Sequence, residues 1–130
     1  GGSPAGNVTQ IQKFSFSSDG DSADIAVLTV GRSGDMSTSS LTHGFAGHGY
    51  GGTDRIDKTT FASDNNATDV GNAAHPGYGS GGSASSLDYG YFFSGELANF
   101  IDKHSHVSDG DASQIGDVAV ARGQCGGTHG

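Results

Sequence analysis

The string IQKFSFSSDGDSADI, residues 11–25, returns as IDKTTFASDNNATDV at 56–70 and as IDKHSHVSDGDASQI at 101–115. Both steps are 45 residues, and four positions are identical in all three copies: Ile11/Ile56/Ile101, Lys13/Lys58/Lys103, Ser18/Ser63/Ser108 and Asp19/Asp64/Asp109. A period of ~20 to 50 residues marks a solenoid, a propeller or another array, because one such unit cannot bury its own faces and must stack on neighbours. The register divides the chain into an end piece (1–10), two repeats (11–55 and 56–100) and an incomplete third (101–130), forming one repeat domain.

Each copy opens on a run rich in β-branched and aromatic residues, Ile11 to Phe16, Ile56 to Phe61 and Ile101 to His106, which predicts a strand. Ser-Asp-Gly-Asp or Ser-Asp-Asn-Asn follows, a turn signal whose side chains can bond the turn's own amides. Second strands are expected over Asp24 to Val30 and Gln114 to Val120, and third strands over Leu41 to Phe45 and Leu87 to Phe93. The Gly/Ser-rich stretches GRSGDMSTSS, PGYGSGGSASS and ARGQCGG between them suggest loose connections. Helical periodicity is nowhere sustained, so the expected class is all-β. Ile11 has odd parity whereas Phe14 and Phe16 have even parity, which predicts strands apolar on both faces and sandwiched between layers.

Composition narrows the partners. The net charge is −8, with six Lys plus Arg, so no electrostatic footprint for nucleic acid or anionic membrane is present. No apolar run approaches the ~20 residues of a membrane helix. Leu, Ile, Val and Phe together number 23 of 130 residues, which makes for a thin core, yet their repeated register argues against a disordered chain. Cys125 is the only cysteine, so no intrachain disulfide forms, and the first residues, GGSPAG, carry neither Met nor an apolar leader core.

Candidate sites are weak signals. Asp19, Asp21 and Asp24, then Asp64, Asn66 and Asp69, then Asp109 and Asp111 have a spacing that suits Ca²⁺, while hairpin turns stabilised by the same side chains need no metal. Tyr50, Tyr78, Tyr89 and Tyr91, set among Gly and Ser, offer either shallow sugar-binding platforms or packing between units. His104 and His106 alternate on one strand face at positions held by Phe14 and Phe16 in the first copy, which favours packing over metal ligation. GxSxG and GxxxxGK[ST] are both absent, so neither a nucleophile elbow nor a phosphate loop supports an enzyme.

The SSLTHGFAGHGYGG string at 39–52, followed by the IDK strand, the SDNN turn and the loop elements Arg32-Ser33-Gly34 and Arg122-Gly123, resembles the kelch-like β-propeller repeat. IQKFSFSSDGDSADIA with SSLTHGFAGHGYGG further resembles repeats in predicted tail-fibre and virion proteins of marine and cyanobacterial phages. The resemblance implies three tandem 45-residue blades of a propeller or propeller segment. Thr128-His129-Gly130 matches Thr42-His43-Gly44, and Gly1-Gly2 matches Gly51-Gly52, so the expectation is either a piece of a longer chain or several chains that complete one another's blades. The expected role is that of a non-enzymatic virion or extracellular structural protein that contacts a host surface. Its expected partners are further copies of itself, other virion proteins or a host-surface glycan. The alternatives are a glycan-binding lectin-type propeller and a secreted adhesion module with Ca²⁺ as its cofactor.

Overall fold

The computed structural model describes residues 6–51, 54–75, 79–95, 98–123 and 126, and the backbone at 128–129. Eleven strands run through them: β1 (Val8–Lys13), β2 (Ala23–Arg32), β3 (Met36–Ser39), β4 (His43–Gly47), β5 (Arg55–Thr60), β6 (Thr68–Asn72), β7 (Gly82–Ser85), β8 (Tyr89–Gly95), β9 (Ala98–Ser105), β10 (Ser113–Asp117) and β11 (Thr128–His129). No helix occurs among the described residues, so the chain is all-β, as expected. The strands make three sheets: the hairpin β1-β2, the meander β3-β4-β5-β6, and the meander β7-β8-β9-β10 with β11 added beside β7. Pairing is antiparallel except at β11, which runs parallel to β7. Among the described residues the sheets do not close into a barrel or a propeller.

The repeated strings become one recurring hairpin, β1-β2, β5-β6 and β9-β10, and it recurs down to its irregularity. Ile11 pairs with Ala26 and Gln12 with Asp24; Ile56 pairs with Gly71 and Asp57 with Asp69; Ile101 pairs with Gly116 and Asp102 with Gln114. Each hairpin therefore bulges at the same place, leaving Ile25, Val70 or Ile115 outside the ladder. The turns repeat as well. The hydroxyl of Ser15, Thr60 or Ser105 accepts the amide two residues on, at 3.1, 3.2 and 3.0 Å. A Ser or Thr at this position satisfies a donor that has left the ladder.

Five sequence expectations change. The opening strands run from Val8 to Lys13, from Arg55 to Thr60 and from Ala98 to Ser105, so Phe14, Phe16, Phe61 and His106 lie in turns beyond them. The parity argument for two apolar faces therefore fails: Phe14, Phe16 and Phe61 are exposed, and in β9 the buried set is Phe100, Asp102 and His104. β3 and β7, placed within loose connections by their Gly and Ser content, are strands, and Met36 and Thr38 of β3 are buried. The 45-residue step governs the hairpins, whereas Met36↔Gly47 is matched by Gly82↔Phe93, a step of 46. Finally, Thr128-His129 does not take the place of Thr42-His43 at the start of β4 but joins the edge of β7.

The core lies between the two meanders. Met36, Phe45 and Ile56 from one sheet meet Phe92, Phe100 and Ala112 from the other, with Val70 and Ala98 at its margin. Glycines allow the close approach. A Cβ at Gly90 would fall on the His104 ring and the Thr38 hydroxyl, and one at Gly71 would overlap the Gly110 carbonyl.

Candidate functional surface

The turn acids singled out for Ca²⁺ do not converge; half of them, Asp64, Asn66, Asp109 and Asp111, reach across to another repeat. Lys13 donates to Asp64 at 2.7 Å, and Lys58 donates to Asp109, so the Lys of one copy pairs with the Asp of the next. The Asn66 side chain accepts from the Val27 amide at 3.2 Å, and Asp111 accepts from the Asn72 amide at 2.9 Å and from its side-chain amide at 3.1 Å. Beside them the Ala67 amide donates to the Val27 carbonyl (2.9 Å) and the Ala112 amide to the Asn72 carbonyl (2.7 Å). Asp24 takes a bond from Gln12, and Asp69 lies 3.5 Å from Arg55 within its own hairpin. No group of three His, Cys, Asp or Glu side chains converges among the described residues. The repeated Lys and Asp thus form rungs that clip each unit to the next.

Behind these shared rungs the two junctions differ. Between units one and two, the Asp57 carboxylate is fully buried and accepts from Arg32 (2.9 Å), the Thr29 hydroxyl (2.6 Å) and the Thr29 amide (3.1 Å). Arg32, equally buried, also donates to the carbonyls of Ala46, His48 and Arg55. A charge in the interior persists only with such partners. A cleft of about 360 Å³ opens alongside, lined in part by Leu28, Ser37, Ala46 and Thr59.

Between the two meanders the packing is aromatic. His75 stacks on Phe100 (4.6 Å), Phe100 on His48 (5.2 Å), His48 meets Phe92 edge-on (5.0 Å) and Phe92 stacks on His104 (5.0 Å). Phe45 continues the column, 5.0 Å from His104, stacked on His106 at 4.8 Å, with His43 at 6.4 Å. Five of the six histidines of the chain stand in this column. Asp102, at the position of Asp57 one repeat on, accepts from the His75 amide (3.2 Å) and ring (3.0 Å). The oxygen that takes the His75 amide also lies 3.7 Å from His48 Nε2. Burial pushes His48 down to about 4, with His75, Arg32 and His104 adding repulsion; burial and then His106 bring His104 to about 4. Both rings are therefore neutral at pH 7, and the His104 ring bonds the Thr38 hydroxyl at 2.8 Å.

A third feature is the rim where the hairpin turns gather. The Phe61 amide donates to the Thr42 carbonyl (2.9 Å) and the His106 amide to the Asp88 carbonyl (2.8 Å), so the β3-β4 and β5-β6 turns lie side by side, as do β7-β8 and β9-β10. These turns expose Leu41, Phe61, Leu87 and Val107, and the first hairpin adds Phe14 and Phe16, the latter 96% exposed. Apolar side chains so exposed, at matching places in successive units, form a surface that water disfavours. Between the first two units the rim opens into a cleft of about 390 Å³ walled by Ile11, Phe14, Phe16, Ile25 and Phe61.

The described tyrosines sit in two places. Tyr50, in the β4-β5 loop, bridges to Ser33 and crowds Gly34 and Gly79. Tyr89 and Tyr91 lie on β8, where Lys103 sits 4.5 Å above the Tyr89 ring. Tyr78 and Cys125 fall outside the described residues. Ile11, Lys13, Ile56, Lys58, Ile101 and Lys103 all lie on the hairpin strands, with Ile56 fully buried. Sequence reasoning missed the rungs and the ring column. The rungs had a signal: Lys and Asp are invariant six positions apart, too far for one turn to pair them, yet close in register with the next copy. No protein-family profile matches the chain, and the search of curated proteins finds no match.

Proposed function

We propose that the chain is a non-enzymatic structural repeat protein of a virion or other extracellular surface, working by contact rather than turnover. The rim carries the reading: Leu41, Phe61, Leu87 and Val107 project at equivalent turns of successive units, with Asp88 beside Leu87. A host-surface glycan or protein bearing repeated apolar groups beside cationic ones fits such a surface. Weak contacts at repeated sites add through effective concentration, so useful avidity needs no deep pocket. Each four-stranded meander serves as one kelch-like blade, as the antiparallel order β3-β4-β5-β6 and its recurrence in β7-β8-β9-β10 support.

The test has two arms. Antibody to the chain should label purified particles or secreted material; labelling confined to cell extract would overturn the reading. Beads densely coated with the chain should adhere to host cells, and Leu41→Glu with Leu87→Glu should abolish adhesion while leaving the melting temperature within a few degrees, because both side chains are exposed.

A further inference from the structure

The contacts joining one unit to the next form two half-sets, and among the described residues one copy of each meets no partner set. We infer that the outer face of the third sheet binds the β1-β2 hairpin of a second copy of this chain, head to tail, in the register of the internal junctions. The inference rests on reading the chain as a structural repeat protein.

The half-set on the third unit is complete in kind. Lys103 stands where Lys13 and Lys58 stand, and Asp19 of a second copy stands where Asp64 and Asp109 stand. Within the chain Lys103 lies over Tyr89, and Asp19 is exposed with no ion-pair partner among the described residues. The backbone repeats this logic. Bulged Val70 offers its carbonyl to the Gly110 amide at 2.8 Å, and one repeat on, bulged Ile115 would meet Gly20 of the incoming copy. Gly71 is held to glycine by its contact with the Gly110 carbonyl. Its equivalent, Gly116, is also glycine, although a Cβ there meets nothing within 4 Å. A residue kept small in open space has the size an approaching backbone requires.

The apolar surfaces match too. His104 and His106 pack on Phe45 across the second junction. Their counterparts in the first unit are Phe14 and Phe16, which are exposed, and Phe45 aligns with Tyr91 through the pairs Phe45↔Lys58 and Tyr91↔Lys103. Phe14 and Phe16 of the second copy would therefore cover Tyr91, giving those two side chains the packing that this chain denies them. One contact is opposed. Asn72 bonds Asp111, but Asp117 stands at the next position and would face Asp21, so like charges weaken this junction relative to the internal one. The contact is heterologous, using different patches on the two copies, and its repetition gives a ring or an open fibre according to whether the rotation closes.

Sedimentation of the purified chain over a range of concentrations tests this. The mass should rise with concentration from 13.0 kDa in whole multiples, and Asp117→Asn should strengthen association severalfold by restoring the Asn-to-Asp contact. Gly116→Val, which meets open space within the chain, should weaken it at least tenfold without changing the melting temperature. Lys103→Glu and Asp19→Lys should each be monomeric alone, since each sets like charges opposite one another, and should assemble when mixed, since every junction between the two variants pairs opposite charges. A strictly monomeric Asp117→Asn chain, or association unaffected by Gly116→Val and the charge swaps, would overturn the inference. Bead adhesion through the rim reads the proposed function separately, because Leu41 and Leu87 lie outside this contact.

Discussion

The two internal junctions share a frame and differ in filling. Both use a Lys-to-Asp rung, an Asx side chain on the facing amide and a backbone bond beside it, all at positions related by 45 residues. Behind that frame the first junction holds a buried Arg32–Asp57 pair, whereas the second holds stacked rings with two neutral imidazoles. The periodic residues thus fix how units meet, and the aperiodic ones decide what holds each meeting together. Each junction buries a carboxylate at the same repeat position, Asp57 or Asp102, and the residues that differ from copy to copy decide whether it meets Arg32 and Thr29 or His75 and His48.

Three experiments press on this contrast. The largest effect should come from Asp57→Ala, which strands the Arg32 guanidinium in a dry site and should cost about 3 to 5 kcal/mol in urea unfolding. Replacing the pair together, Arg32→Met with Asp57→Leu, should cost much less; equal losses would show that the charge pair is not what the site depends on. Next in size is acid. His48 and His104 are held near 4 when folded against an ordinary 6.5, so the fold favours their neutral forms. Their contribution is complete above pH 6.5 and is withdrawn as pH falls from 6.5 towards 4, at about 3 kcal/mol for each ring. Hydrogen exchange should accordingly show β7-β8-β9 loosening against β3-β4 before the Arg32 site opens, and His104→Phe, which keeps the stack and cannot charge, should shift that acid transition downwards. An unchanged transition would clear His104 of the role. The smallest effect belongs to the rungs: Lys58→Ala should cost under about 1 kcal/mol, because Asp109 is exposed and water competes for the pair.

How much of this could be read from the string itself depended on what the periodicity recorded. The hairpins and their turns were legible because Ile, Lys, Ser and Asp recur in register and each meets the same surroundings in every copy. β3 and β7 were not, since MSTS and GSAS carry little β propensity; Ser83 bonds the Ser37 carbonyl (2.7 Å) and the Ser85 hydroxyl takes the Ser39 amide (3.0 Å), so it is the facing sheet that makes them strands. The turn acids stood out by their spacing within each loop, and that spacing cannot show that Asp64, Asn66, Asp109 and Asp111 meet groups of a neighbouring copy. The ring column was hidden for a related reason: His48, His75 and His104 have no common spacing, and only the packing of two sheets brings them into line.

The mismatch between the two periods has a consequence of its own. The front strands β3/β7 and β4/β8 advance by 46 residues, and the hairpins β5-β6/β9-β10 by 45. One residue is gained between Asn72 and Gly82, and one is given back between Gly95 and Ala98. Each unit therefore behaves like a cassette with an elastic lead-in and an indexed latch. Length changes are absorbed in the two connections and never reach the Lys–Asp rungs, so new loops could be spliced ahead of β7 while the spacing that a neighbouring unit measures stays as it was.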